Sequence, residues 1–353
     1  MSLQSLGLRD FRCIESADLD LHGRCNLISG ENASGKTSLL EAIYFLGRGR
    51  SFRTRLLNHL PRRGTSRFVL FGEAEREGRD IPLGIEGGED GLRARIEGRN
   101  AASLAELTLA LPTQIIDPEV HKLIEEGPGR RRRFLDWGVF HVEPSFVGHW
   151  QRYQQALRQR NAALRQRQPR SVVSVWDPEL VHHGEAMAVA RGRYVEQLIP
   201  HANRLGRHLL EREITLNLRP GWSGDSLQEA LHRSWDADRE RGSTGVGPQR
   251  AELKVLVDGV LARDDVSRGQ QKLLASALLL AQLRLFGAES SAKPLLLLDD
   301  PAAELDEHRL ARLIEEVRGP EVQLIVTSLS ESVEVLGRPG LKLRIEQGAL
   351  VGP

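Results

Sequence analysis

With 353 residues, the chain is long enough to bury more than one lobe, and its 49 basic and 48 acidic side chains leave a net charge of only +1, so overall charge points to no partner class. Its 2 cysteines, Cys13 and Cys25, exclude a disulfide framework and offer no zinc spacing, which favours a reducing cytoplasm. The longest apolar stretches, Leu273–Leu283 and Pro294–Leu298, are shorter than the roughly 20 residues of a membrane span, and Met1–Leu6 lacks the basic start and apolar core of a signal peptide, so a soluble cytoplasmic protein is expected.

The first segment alternates like strands, over Leu3–Asp10 and then Ala17, Leu19 and Leu21. Cys25–Ser29 reads as a short buried strand. It runs into Gly30-Glu31-Asn32-Ala33-Ser34-Gly35-Lys36-Thr37, which fits the phosphate-binding pattern G-x-x-x-x-G-K-[ST]. Leu39, Leu40, Ile43, Tyr44 and Leu46 follow at helical spacing, so the loop lies between a strand and a helix, as the pattern requires. A chance glycine-rich turn would not bring both flanks with it. Gly30 and Gly35 let the backbone present N–H groups to phosphate, and the helix start adds its positive end. Lys36 is expected to reach the β- and γ-phosphates of ATP, and the Thr37 hydroxyl to ligate Mg2+. If the first strands are neighbours, Arg9 and Arg12 converge with Lys36 on phosphate; a solvated arginine at a strand end is the plain alternative.

Charge is unevenly placed. Arg48, Arg50, Arg53, Arg55, Arg62, Arg63 and Arg67 fall in one stretch without an acid between them, Arg130, Arg131, Arg132 and Arg133 form a second, and Arg152, Arg158, Arg160, Arg165, Arg167 and Arg170 a third. One such run is commonly a solvated helix face. Three in one half of a neutral chain favour a polyanion, with Arg48, Arg50, Arg53, Arg55, Arg62, Arg63, Arg131 and Arg132 as candidate DNA contacts.

Short alternating runs at Phe68–Ala74, Ile81–Ile85 and Leu92–Ile96 predict a meander, and Ala101–Leu111 a helix. Pro112–Ile116 is a further strand-like run carrying Gln114, in the position where many nucleotide motors place a lone glutamine; by itself a lone glutamine is more commonly just a surface residue. From Pro118 the pattern turns helical, over Arg130–Phe140, Pro144–Gln168 and Asp177 to about Arg212, with Asp177-Pro178 as a start signal and Pro200 as a kink. Strand-like runs return at Ile214–Leu218 and Glu252–Leu261. Ser267-Arg268-Gly269-Gln270-Gln271-Lys272 then opens an apolar helix, a second anion site at a helix N-terminus or a plain cap. Lys293–Leu298 is a continuous apolar strand ending in Asp299 and Asp300, where open α/β sheets hold ligands. Asp299 suits Mg2+, and Asp300 can polarise a water. Asp306 is expected to cap a helix to Arg318, and Val322–Ser328 is another buried strand with Thr327 and Ser328 at its end.

P-loop, lone glutamine, Ser-x-Gly-Gln helix, acidic strand end and Glu304-Leu305-Asp306 come in the order of an ABC-type ATPase head. Transporter heads carry Leu-Ser-Gly-Gly-Gln at the signature, Glu at the place of Asp300 and His at that of Thr327 or Ser328, so this chain departs from them. It resembles the RecF family of SMC-related heads, on Glu41–Tyr44, Gly47–Arg53, Arg132–Gly138 and Gln159–Leu164. The resemblance implies an α/β fold: an ABC-type ATPase head, with a Rossmann-like P-loop lobe bearing antiparallel β-strands (1–117 and 291–353), plus a largely helical second lobe carrying the signature (118–290). It implies an ATP-dependent homodimer in which Ser267, Gly269 and Gln270 of one copy face the nucleotide of the other. It further implies slow, DNA-dependent ATP hydrolysis using Lys36, Asp299, Asp300, Gln114 and Thr327, with Thr37, Asp299 and Gln114 around Mg2+. The implied partners are DNA at single-strand gaps and duplex junctions, RecR and RecO, and indirectly RecA. An ATPase subunit of an ABC transporter, a nucleotide-retaining scaffold and a nuclease fused to such a head are the competing readings. The altered signature, intact Lys36, Thr37, Asp299 and Asp300, and the lack of a second acidic domain after Ser328 weigh against them.

Overall fold

In a computed structural model, residues 2–290, 292–304, 307–318, 322–330, 333 and 336–351 are described. The chain divides into two compact units, Met1–Val120 with Phe286–Pro353, and His121–Leu285.

The first unit holds two six-stranded sheets. One is mixed, in the spatial order Ala349–Val351, Leu341–Glu346, Cys25–Ser29, Gln323–Ser328, Leu295–Leu298, Thr113–Ile116. All neighbours are parallel except the first pair. Leu295–Leu298 and Gln323–Ser328 are buried at every position, as strands covered on both faces must be, and that explains their unbroken apolar runs. Ile116, Leu298, Val326 and Leu27 share one register level; the strands of Ile116 and Leu298 end there, and those of Val326 and Leu27 run two residues further, to Ser328 and Ser29.

The other sheet is antiparallel, in the order Ile14–Asp20, Ser2–Phe11, Arg67–Arg76, Arg79–Gly88, Gly91–Ile96, Arg99–Asn100. Its period is two residues: Phe68, Leu70 and Ala74 point inward, while Arg67, Val69, Phe71 and Glu73 face solvent. The helix Lys36–Arg48 touches strands of both sheets, and almost all of it is buried. Phe68 meets Phe11 and Phe45 edge-on at 5.1 and 5.5 Å between ring centroids, the arrangement aromatic quadrupoles prefer. The meander and its following helix, observed at Leu104–Ala110, lie where the sequence pattern puts them. The helix after the acidic strand is seen over Glu307–Val317; Leu305 and its expected cap Asp306 lie outside the described residues.

The second unit contains the helices Pro128–Val142, Phe146–Arg165 and Asp177–Leu210, the start of Arg268–Glu289, and a three-stranded sheet of Ile214–Arg219, Glu252–Val257 and Val260–Leu261. The long helix continues through Pro200. Asp177 is not its cap: Trp176 holds that position, and the Asp177 carboxylate accepts from Arg160 Nε at 2.8 Å. Arg160 itself is fully buried, and its Nη1 donates to Asp238 (2.9 Å) and Thr244 (2.8 Å). Its place in a solvent-facing basic run is therefore corrected: its acids lie 17 and 78 residues away in sequence, out of sight of local charge patterning. No helix among the described residues is long and apolar enough to cross a membrane.

Arg160→Met would take from the fully buried Asp238 its hydrogen-bonded cation, leaving only the half-exposed Arg241 at 3.9 Å. A loss of about 3–5 kcal/mol is expected for breaking such a pair from one side, read as a lower urea midpoint for the second unit. A midpoint equal to wild type would contradict the structural role.

Candidate nucleotide-binding site

The site is built where the parallel strands of the first unit end. At Gly30 (φ 156°) a Cβ would come within 2.4 Å of Ile345 O and 2.7 Å of Ser34 Oγ. At Gly35 the φ of 116° is open to glycine and strained for other residues. Ala33 takes φ 62°, at a cost of about 1–2 kcal/mol for a residue with a Cβ. Gly35 precedes the helix Lys36–Arg48, no side chain caps that helix, and its first turn holds no acid. Its leading N–H groups are thus left for an anion. Ser34 Oγ is buried without a hydrogen-bond partner among the described residues. Lys36 folds back over the loop, its Nζ donating to Gly30 O and Glu31 O at 2.7 Å each. Burial lowers the Lys36 pKa, while the charges of Asp300 and Asp299 oppose that shift. Glu31 and Asn32 are exposed on the loop.

The acidic strand meets this loop side chain to side chain. Thr37 Oγ1 lies 3.0 Å from both oxygens of the buried Asp299. Thr327, at the end of the strand between them, donates to Asp299 Oδ1 (2.8 Å) and accepts from the Asp300 N–H (2.9 Å). Asp300 has φ 45°. Its pKa is raised, most by burial and further by Asp299, with Lys36 acting the other way. A hydroxyl and a carboxylate are hard oxygen donors, and such a set fits Mg2+. The orphaned Ser34 hydroxyl and the uncapped N–H groups fit phosphate.

Lys36, Thr37, Asp299, Asp300 and Thr327 therefore lie together, while Thr327, Gln114 and Arg12 have surroundings that the sequence did not suggest. Thr327 is wholly buried, and its hydroxyl is engaged by the two aspartates. Gln114 lies inside the strand Thr113–Ile116, level with Leu296 and three residues short of Asp299, or roughly 10 Å back along the strand. It is buried there, and the half-buried Asp117 follows the strand end instead, with Asp299 N donating to Ile116 O. Arg12 is held by protein partners. Its Nε and Nη2 donate to the two oxygens of Glu41 at 2.8 and 2.7 Å, and its Nη1 to His59 O at 2.7 Å. Arg9 pairs with Asp18.

Glu41 is the acid that sequence reading overlooked. It is fully buried, and it also receives Ser51 Oγ and Arg53 Nη1. A single carboxylate in an otherwise apolar helix face, followed by an arginine-rich stretch, was the available signal. The arginine candidates divide accordingly. Arg48 is buried over the Tyr44 ring at 5.5 Å, and burial lowers its pKa to about 10. Arg53 is tied to Glu41, and Arg62 to Asp10 and Glu15. In the second unit Arg131 is buried against Glu252 and the carbonyls of Leu123, Ile124 and Glu126, and Arg132 donates to Ala251 O. Arg50, Arg55 and Arg63 remain exposed.

The signature turn belongs to the second unit. Gln270 N donates to Ser267 Oγ (3.3 Å) and Ser267 N to Gln270 Oε1 (3.0 Å), a reciprocal capping box. Ser267, Arg268 and Gly269 are exposed.

Residues 2–339 match the family described as RecF/RecN/SMC N terminal domain. The chain is 40% identical over 356 aligned positions to a "DNA replication and repair protein RecF" of Thioalkalivibrio sulfidiphilus, covering 99% of each. It resembles the solved recombination mediator protein RecF with ATP, at TM-score 0.90 and 26% identity, over 99% of this chain and 97% of that one. An Smc head bound to the C-winged helix domain of ScpA matches in fold alone, with TM-score 0.59 and 16% identity over 99% and 97%. The fold is that of an ABC-type head.

Thr327→Val keeps the side-chain volume and removes the hydroxyl that serves Asp299 and the Asp300 N–H. A destabilisation of about 1–3 kcal/mol is expected from the buried groups left unpaired, seen as a lower thermal midpoint that Thr327→Ser largely restores. Equal midpoints for Val and Ser would show that the hydroxyl does not carry the contact.

Proposed function

The chain belongs to the RecF/RecN/SMC family, and within it to the RecF proteins, and on that footing we propose that it is an ATP-gated DNA-binding protein of replication and recombinational repair. The observation that carries the ATP site is the Thr37 hydroxyl set 3.0 Å from both Asp299 oxygens at the mouth of the P-loop. On binding, Lys36 exchanges the carbonyls of Gly30 and Glu31 for the β- and γ-phosphates, and the uncapped helix N-terminus and Ser34 take phosphate oxygens. Thr37 and Asp299 would hold Mg2+, which supplies charge neutralisation at the phosphates. Asp300 orients and polarises the attacking water. Its raised pKa suits a base, and its carboxylate, one methylene shorter than Glu, holds that water loosely, which makes hydrolysis slow and timer-like.

The other half of the site comes from a second copy, through Ser267, Gly269 and Gln270. Gly269 supports this. It sits exposed in the first turn of a long helix, and among the described residues a Cβ there would meet nothing within 4 Å, so the fold itself does not require glycine at this position. Close approach by another molecule accounts for it. ATP would stabilise the closed pair through contacts to the γ-phosphate, and hydrolysis would remove them. Arg50, Arg55 and Arg63 are the exposed arginines proposed to neutralise DNA phosphates. DNA at single-strand gaps and junctions, with RecO and RecR and a role in placing RecA, completes the reading, which follows the family and the RecFOR context of the solved relatives. A transporter subunit is not favoured.

The test is light scattering and binding to gapped DNA, with and without ATP, at stepped salt. Wild type is expected to dimerise with ATP and to lose DNA affinity steeply with salt, with a log–log slope of about −0.9 per phosphate contact. Lys36→Ala is expected to stay monomeric. ATP-dependent dimers of Lys36→Ala, or salt-independent DNA binding, would contradict the proposal.

A further inference from the structure

Away from the nucleotide site, among the described residues, one group of three side chains is spaced to share a cation: His149, His182 and His183. His149 lies in the first turns of Phe146–Arg165, and His182 and His183 are on the second turn of Asp177–Leu210. One nitrogen from each falls within 4.8 Å of the others. The Nδ1 atoms of His149 and His183 are 2.9 Å apart, and the three ring centroids are separated by 4.8 to 5.8 Å.

The tautomers follow from the partners. His183 Nε2 is 3.0 Å from the Glu179 carboxylate one helical turn earlier. A carboxylate only accepts, so the proton of the neutral ring is on Nε2, and His183 Nδ1 presents a lone pair toward His149. A carboxylate holding the far nitrogen of a histidine is the arrangement that orients metal-binding imidazoles. Burial lowers the proton affinity of His183, Glu179 opposes that shift, and His182 and His149 add to it. His183 is buried, His149 half-buried and His182 exposed, so the cluster opens to solvent on one side.

We propose that His149, His182 and His183 form a binding site for a borderline divalent transition metal, with Zn2+ as the best fit, that clips the helix Phe146–Arg165 to the helix Asp177–Leu210. Imidazole nitrogens select this class over Mg2+ and Ca2+. With Zn–N bonds of about 2.0–2.1 Å, tetrahedral ligands stand about 3.3 Å apart. The His149–His183 pair needs to open by only a few tenths of an ångström, and the exposed His182 closes the remaining gap from within 4.8 Å. Metal entry displaces the proton that lies between the two Nδ1 atoms; that proton is exchanged through solvent to His149 Nε2, so that each ring ligates as a neutral imidazole with no net loss of a proton. The fourth position is left to water. The clip ties residue 149 to residue 183 and so stabilises the second unit.

The experiment uses the full chain, stripped with EDTA and dialysed, titrated with ZnCl2 by calorimetry and with CoCl2 by visible absorption. Wild type is expected to bind one Zn2+, to show the d–d bands of tetrahedral cobalt, and to melt higher with Zn2+. His182→Asn, at an exposed position that does not threaten the fold, and His149→Gln are each expected to weaken Zn2+ by at least about tenfold and to abolish the shift in melting. Glu179→Gln is expected to weaken it by about tenfold or more. Absence of a wild-type site at micromolar Zn2+, or an unchanged site in the His149→Gln/His182→Asn double variant, would overturn the proposal and leave a hydrogen-bonded histidine cluster.

Discussion

The contact between Thr37 and Asp299 depends on a register. Leu298, Val326 and Leu27 stand level on adjacent parallel strands. One residue further on, Asp299 leaves the first of these strands and Thr327 stands level with Ile28 of the third, which runs one residue more, to Ser29, before the P-loop begins at Gly30. A slip of one residue in any of them would turn these side chains to the opposite face. The apolar runs that hold the register are buried along their whole length, so the hydrophobic effect fixes the polar geometry at the sheet edge.

The arginines show a second constraint. A guanidinium near a buried carboxylate is taken up by the fold, because leaving either partner unpaired costs several kcal/mol. Glu41 takes Arg12 and Arg53, Glu252 takes Arg131, and Asp177 and Asp238 take Arg160. What remains exposed is a smaller set than the count of arginines suggests. Arg50, Arg55 and Arg63 share one segment of the first unit, and that segment is anchored by the same Glu41 through Ser51 and Arg53.

Much of this was legible in the sequence because its signals are contiguous. The P-loop with both flanks, the meander and the acid-ended strand each occupy one window, and the structure places them accordingly. The misses share a cause: they depend on partners remote in sequence. Arg160 reads as one more basic residue until Asp238 folds over it. Arg12 reads as a phosphate ligand until Glu41, 29 residues on, claims it. Gln114 has the right neighbours in sequence, but only pairing with Leu295–Leu298 fixes its level, well behind Asp299. Asp177 looks like a cap beside Pro178, and its oxygen is instead held by Arg160. The three histidines carry no spacing signal at all, since one is on a different helix from the other two.

The most direct measurement is ATP affinity as a function of Mg2+ for wild type and Thr37→Val, with Asp299→Asn alongside. If Thr37 and Asp299 together form the metal side of the nucleotide site, wild-type affinity rises with Mg2+, and in both variants most of that dependence is lost. An equal rise with Mg2+ in all three proteins would contradict the account.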